Sequence, residues 1–371
     1  MLPATRPGVR LDAEGICNGC RNAEHKAAID WRARARDFAA LVADAKARRA
    51  EYDCVVPVSG GKDSHWQVLT CLEQGLHPLC VTYTYPGATE LGEANLENLV
   101  DLGVDHLQLR VNPKVERKFT ERAFRRTGIS GLVSHMAIFA FPLKVATRLG
   151  IPLVIYGENS ALEYGTADEE LIGARLDRRW LKSFGVTADT SAADWIDDTL
   201  TAADLAPYFL PTDEELAASG VSAIFLGWYF RWDPESSFRL ASAHGFKARI
   251  EGPRVGHLNY VNIDDAFVAV HHHPKWHKFG ITRTWDTLSV EIRMGRMTRS
   301  EAIDRLRAEG ADPPRQDIEA FCRYIGISEA EYFRIVEGFR NPEIWTRRGN
   351  RWVIDDFLID DFDWPADPDA P

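Results

Sequence analysis

Tyr52-Asp53-Cys54-Val55-Val56-Pro57-Val58-Ser59-Gly60-Gly61-Lys62-Asp63-Ser64-His65-Trp66 is the stretch whose reading decides the fold. An apolar run at 54–58 ends in a small polar loop, and a helical pattern starts at once on its far side. This is the succession of a buried strand, a ligand-holding turn and a crossover helix. The two adjacent glycines let the backbone turn tightly and bring several N–H groups to face one point. Ser59 and Ser64 add hydroxyl donors where the next helix presents its positive N-terminal end. Such a concavity holds a phosphate chain. It is not a Walker A loop, which needs four residues between its first glycine and Gly-Lys-Ser/Thr.

Working outward, strand and helix patterns alternate. Strands are expected at 54–58, 78–85, 106–111 and 152–156, and helices at 63–74, 94–102 and 134–149. A helix at 29–52, with Ile29, Phe38, Leu41, Val42 and Ala45 in one apolar stripe, precedes them. The pattern predicts an α/β fold with an open, mainly parallel sheet and helices on both faces. Ligands of such sheets sit beyond the carboxyl ends of the strands, which brings the Ser59 loop, Thr82 with its neighbours to Tyr85, and Gly157-Glu158-Asn159 to one crevice. The acidic stretch 161–215 reads as an insertion of short helices and loops, and 225–232 as a strand leading to Trp232-Asp233-Pro234. Helical patterns at 299–309, 317–325 and 329–339 follow, and a Pro/Asp tail from Trp364 is expected to fray. The organisation expected is an N-terminal segment and helix (1–51), a nucleotide-binding domain (52–160), and an insertion with a mostly helical C-terminal substrate region (161–371).

Composition narrows the function. The 371 residues carry a net charge of −11, which argues against a chain whose main task is to hold nucleic acid. No apolar run approaches the ~18–20 residues of a membrane span, the longest being 221–228 with its flanks, and no signal-peptide pattern opens the chain, so the expected location is cytoplasmic. Within this acidic chain, 271–299 forms a basic island: Lys275, Lys278, Arg283, Arg293, Arg296 and Arg299 stand against Asp286 and Glu291. Cations in that density suit a diphosphate-bearing ligand. His271, His272, His273 and His277 lie in the same island. Pro274 opposes a helix that would put His273 and His277 on one face, so these read as neutral, partly exposed groups. Trp228, Trp232, Trp276 and Trp285 are candidates to stack on a base or sugar, with core packing the ordinary alternative.

Six cysteines, with Cys54, Cys71 and Cys80 in apolar patterns, read as reduced thiols and not as a disulfide framework. Cys17 and Cys20 have zinc-ligand spacing, but one C-x2-C is half of a tetrahedral site. His25, Cys322 and the 271–277 histidines are the groups available to complete it, and the sequence does not choose among them.

Several motifs in one order carry a family resemblance. Ser59-Gly60-Gly61-Lys62-Asp63-Ser64 is similar to the loop of ATP pyrophosphatases, which cleave ATP between its α and β phosphates and share the adenine nucleotide alpha-hydrolase-like fold. Ile16-Cys17-Asn18-Gly19-Cys20-Arg21, Ile29-Asp30-Trp31 with Arg34, Gly157-Glu158-Asn159, Lys278-Phe279-Gly280 with Arg283, and Glu291-Ile292-Arg293 with Arg299 together resemble the N-acetyl sugar amidotransferases. That resemblance implies an enzyme of lipopolysaccharide O-antigen or flagellin-sugar biosynthesis. Such an enzyme converts an acetamido group on a nucleotide-linked sugar into an acetamidino group, with ATP as activator and ammonia from a separate glutaminase.

An amide oxygen is a poor leaving group. Adenylation makes it one, and the protein's part is positioning and charge neutralisation. The expected ATP site is Ser59, Gly60, Gly61, Lys62, Asp63, Ser64, Thr82, Gly157, Glu158 and Asn159, with Asp63 on Mg²⁺. Asp63, Lys62, Lys278 and Arg283 are the expected catalytic residues, and Lys275, Arg293, Arg296 and Arg299 the expected substrate contacts. Zinc on Cys17 and Cys20 completes the expected cofactors. An ATP pyrophosphatase that adenylates tRNA for thiolation is the alternative, disfavoured by the compactness of the basic island. A nucleotide sensor without turnover is disfavoured by the intact Asp63 and Ser64.

Overall fold

The structure, a computed structural model, describes residues 3–48 and 50–365. Its centre is a five-stranded sheet of β1 (Cys54–Pro57), β2 (Pro78–Tyr83), β3 (Asp105–Leu109), β4 (Leu153–Tyr156) and β5 (Ser222–Phe225), in the order β3-β2-β1-β4-β5. Every pairing is parallel. Alternation along the strands explains why both faces are covered. Cys54, Val56 and Val58 point into one core with Phe38, Trp66 and Cys71, whereas Val55 points into the other with Val81, Val154, Leu143 and Trp180.

Sixteen helices surround the sheet among the described residues. The first six are α1 (Asn18–Ala27), α2 (Trp31–Ala47), α3 (Lys62–Glu73), α4 (Glu90–Val100), α5 (Pro113–Thr127) and α6 (Leu132–Leu149). Asp30 caps α2 by accepting from the N–H groups of Arg32 and Ala33, so the Ile29-Asp30-Trp31 motif is a helix start. The 161–215 stretch is, as expected, short helices and turns, among them α7 (Ser160–Tyr164), α8 (Arg178–Phe184) and α9 (Asp213–Ser219). The C-terminal part is mostly helical: α10 (Leu226–Tyr229), α11 (Pro234–Ala243), α12 (Val268–Phe279), α13 (Arg283–Arg293), α14 (Arg299–Glu309), α15 (Arg315–Ile325) and α16 (Glu329–Glu337), followed by a hairpin of β6 (Trp345–Arg348) and β7 (Arg351–Ile354).

Four sequence expectations are corrected. The strand expected at 225–232 is β5, which ends at Phe225, followed by the one-turn helix α10; the run is apolar because it is buried, which does not distinguish the two conformations. The helix α6 is long and apolar enough to cross a membrane, although no such run was expected. Leu132, Val133, Ala137, Ala140 and Ala146 of α6 are buried, and the helix packs on β1, β2 and β4. Pro274 lies inside α12 and does not end it, because Val270, His272, Pro274 and Trp276 all bury on that helix. Trp364 does not fray: it packs on Trp276, Trp345, Phe357 and Phe362. The rest of the tail, 366–371, lies outside the described residues.

His273 and His277 therefore do share a helix face, with rings 5.1 Å apart. Burial pushes both imidazoles down to about 3, so they are neutral in the fold. A depressed imidazole contributes stability that is fully present above its unfolded value of 6.5 and is lost as the pH falls toward 3. The stability difference between wild type and the His273→Gln/His277→Gln double variant should therefore shrink on acidification through that window. Urea denaturation at a series of pH values measures it, and a constant difference would contradict the burial argument.

Candidate active site

The Ser59 loop occupies the topological switch point, where β1 has β2 on one side and β4 on the other. Its shape is fixed by its own serines. Ser64 Oγ accepts from the Ser59 N–H at 2.8 Å, and Ser59 Oγ accepts from the Gly61 N–H at 3.2 Å. Neither glycine has a positive φ. The reason for Gly60 is space: a Cβ there would lie 1.9 Å from the carbonyl oxygen of Gly92, in the first turn of α4. Gly92 in turn has no room, since its Cβ would meet Asp264 Cα at 2.7 Å. Gly61 is roomier, with Ser59 Oγ at 3.2 Å and Asp264 Oδ2 at 3.7 Å. The backbones of Gly92 and Asp264 thus stack in succession beside the loop.

A cavity of about 50 Å³ opens from the loop, lined by Lys62, Asp63, Glu158, Tyr164, Trp232 and Arg283 among others. Asp63 Oδ2 accepts from Lys62 Nζ at 2.5 Å, and its Oδ1 accepts from Trp232 Nε1 at 2.9 Å. Both oxygens are therefore aimed by fixed donors. Glu158 is held beside them; burial, then the charge of Asp63, raises its carboxyl to about 7. Leu258, Val261 and the α13 residues Thr287, Val290 and Glu291 complete its lining.

The other expected ATP contacts divide. A Cβ on Gly157 would come within 3.4 Å of the Gln67 amide, and the Gly157 carbonyl accepts from the Gly227 N–H. Thr82 is buried and pins neighbouring strands: its Oγ1 donates to the Val58 carbonyl at 2.8 Å and lies 2.9 Å from His106 Nε2. Asn159 is fully enclosed and fully bonded, donating to the Leu171 and Gly173 carbonyls and accepting from Ala161 N–H and Trp180 Nε1. Both side chains are committed to the scaffold, which leaves Glu158 as the ligand-facing member of its motif.

The basic island is also taken apart by the fold. Arg296 forms a bidentate pair with Glu291, both contacts 2.8 Å, and reaches Asp233 at 2.9 Å. Arg293 donates to the Glu163 carbonyl at 2.7 Å and faces Cys17 Sγ at 3.7 Å. Glu163 itself is buried against Lys26, at 2.6 Å. Lys278 donates to the Thr127 carbonyl beside the Phe339 ring. Arg299 is exposed at the rim of a separate cavity near Cys17 and Cys20. Arg283 is the one that lines the cavity, and Lys275 lies near it by Asp286 and Arg6. Arg6, unremarked in the sequence, joins them by pairing with Asp286 at 2.6 Å. Trp228 is covered by the Arg34 guanidinium at 3.4 Å, and Trp276 and Trp285 are core residues.

With this geometry in place, one similarity stands out. Residues 244–357 match the family model "LPS biosynthesis protein WbpG-like, C-terminal domain". The matched region supplies Leu258, Val261, Arg283 and Glu291 to the lining of the cavity, and Asp264 beside Gly92. No curated protein matches the chain. Among solved structures, the NMN synthetase from Francisella tularensis is 12% identical with a TM-score of 0.37, the match covering 75% of this chain and 91% of that one. An NAD+ synthetase from Burkholderia pseudomallei is 17% identical with a TM-score of 0.28, covering 63% and 96%. A predicted subunit of tRNA methyltransferase from Methanocaldococcus jannaschii is 15% identical at 0.28, covering 51% and 75%.

The WbpG-like region does not complete a zinc site. Cys17 and Cys20 sulfurs lie 3.4 Å apart, but among the described residues no three His, Cys, Asp or Glu side chains gather as a metal site. Cys322 is in another core, with Phe124, Phe321 and Tyr332. What faces Cys17 is the Arg293 guanidinium, and the hydrogen bond from Cys20 with that cation lowers the Cys17 thiol to about 4. Two sulfurs and an arginine do not fit the expected zinc. Mg²⁺ differs, since it is commonly held by one or two carboxylates together with substrate phosphates and water, and Asp63 with Glu158 beside it meets that requirement. All six cysteines are free thiols, and Cys54, Cys71 and Cys80 are buried as expected.

Proposed function

We propose that this chain is an ATP-dependent, AMP-forming amidotransferase that converts the acetamido group of a nucleotide-linked sugar to an acetamidino group, in the cytoplasm, using ammonia from a separate glutaminase. The observation that carries the reading is the convergence of Lys62, Asp63, Glu158 and Arg283 on one cavity at the switch point of the sheet. The LPS-biosynthesis description of the WbpG-like region agrees with a surface-sugar substrate.

The residues assign themselves to steps. The Ser59–Ser64 loop receives the pyrophosphate portion of ATP through backbone N–H groups and the α3 N-terminus. Mg²⁺, when bound at Asp63, supplies charge neutralisation on the phosphates. The acetamido oxygen attacks the α phosphorus and pyrophosphate leaves, giving an O-adenylated imidate. Ammonia then adds to the imidate carbon, the C–O bond breaks with its electron pair on AMP, and one proton is lost. Arg283, recessed beside Tyr164, faces the negative charge that builds on the transferring phosphoryl group.

Phosphorus NMR of a complete reaction should show AMP and pyrophosphate in equal amounts; ADP and phosphate would remove the assignment. The isolated chain should use ammonium at raised pH and respond poorly to glutamine until a glutaminase is added.

A further inference from the structure

The proposed chemistry does not account for a group of cations and unpartnered imidazoles behind Arg283. The helix α12 carries His271, His272 and Lys275, the first turn of α6 carries His135, and the N-terminal segment carries Arg6. The His135 and His271 rings stack at 5.5 Å, and the His271 and His272 rings lie 5.0 Å apart. His135 Nδ1 donates to the Gly131 carbonyl at 2.7 Å and so is committed to the start of α6, where a Cβ on Gly131 would meet His271 Nδ1 at 2.9 Å.

Three features mark the cluster as incomplete. Lys275 has neither a hydrogen bond nor an ion pair within 4 Å among the described residues. The Nδ1 atoms of His271 and His272, and Nε of Arg283, are buried without partners, and His272 is only 8% exposed. Arg6, Lys275 and Arg283 are three cations about the carboxylate of Asp286; burial opposes its charge most, and the three cations together outweigh burial and keep the carboxyl below its usual value. Glu158, on the far side of Arg283, is the other carboxyl near them. That leaves at least one positive charge unmatched in a partly enclosed cluster, which a bound anion would offset. Burial and Lys275 keep His271 and His272 neutral, so each imidazole can donate one N–H without adding charge. His135, His271, Lys275 and Arg283 are only half-buried, which leaves the cluster reachable.

We propose that Arg6, His271, His272, Lys275 and Arg283 form the subsite for the diphosphate of the nucleotide-linked substrate, separate from the ATP phosphates on the Ser59 loop. This rests on the nucleotide-linked substrate of the proposed function. A diphosphate diester carries roughly two negative charges, which suits a net-positive cluster, and offers oxygens to both guanidinium and imidazole donors. Arg283 borders both the subsite and the Asp63 cavity, so a diphosphate held here directs the attached sugar toward the ATP loop.

The test is binding without turnover, so its outcome is independent of which reaction the enzyme performs. Inorganic pyrophosphate is titrated calorimetrically into the full chain, with and without saturating α,β-methylene-ATP. Pyrophosphate should bind in both cases. Lys275→Met should weaken it at least tenfold in the presence of the analogue, Lys275→Arg should hold it within about threefold, and analogue affinity should not change. If Lys275→Met fails to fold, His271→Gln gives the same comparison. Loss of all pyrophosphate binding once the analogue saturates the ATP loop would show a single site there and overturn the proposal. So would absent binding, or binding that the Lys275 and His271 variants leave intact.

Discussion

Asp63→Ala should lower turnover by about a thousandfold while leaving the chain folded, on the scale of losing one preorganised electrostatic contact at a transferring phosphoryl group. The side chain sits at the opening of the loop, a third exposed, and its two bonds go to Lys62 and Trp232. Removing it takes the carboxylate from the magnesium position and releases both donors, but opens no cavity in the core. The expected result is a circular-dichroism melt near that of the wild type, AMP formation at the detection limit, and no recovery at high Mg²⁺. Near-normal turnover at saturating Mg²⁺ would show that the carboxylate only complements the dipole of α3.

The second large effect is structural. Gly60→Ala should destabilise the chain by about 3 kcal/mol or more, because the added methyl meets backbone, which cannot swing away as a side chain would. Relief requires α4 to move, and α4 is tied to the WbpG-like region through Thr89, whose N–H donates to the Asp264 carbonyl at 3.2 Å and whose Oγ1 donates to the Ile263 carbonyl at 2.7 Å. Gly61→Ala has only contacts of 3.2 Å and 3.7 Å to accommodate, and should cost less than about 1 kcal/mol. Urea denaturation of the two variants side by side measures this. Equal losses would mean that the turn's conformation, and not the approach of α4, sets the need for glycine.

The glycines show how the sequence can be read correctly for an incomplete reason. Their presence marked the loop, but the neighbour that forbids a methyl at Gly60 is Gly92, far along the chain and without a local signature. The strands β1, β2 and β4 were legible because their apolar runs, bounded by helical patterns, are too short for a buried helix, and β3 because its leucines alternate with polar residues. The helix α5 was missed although its signals are local: Asn112 caps it, Pro113 begins it, and Gly128 ends it at φ 61°. The basic island was read as one surface because its residues are adjacent in sequence. Helical geometry and carboxylates from afar, Asp233 against Arg296 above all, divide it into scaffold and site. Arg6 could not have been placed, since its partner Asp286 is 280 residues distant. Glu158 and Asn159 were read together, but the strand end that aims one into the cavity turns the next into the core.

The central claim is that ATP activates the oxygen of an amide. The most direct measurement supplies the sugar substrate with ¹⁸O in its acetamido carbonyl and examines the AMP released in the presence of ammonia by mass spectrometry. Adenylation followed by displacement predicts that each AMP carries one ¹⁸O, transferred from the amide to the phosphorus. Unlabelled AMP, with the ¹⁸O retained in the sugar product or lost to water, would contradict it.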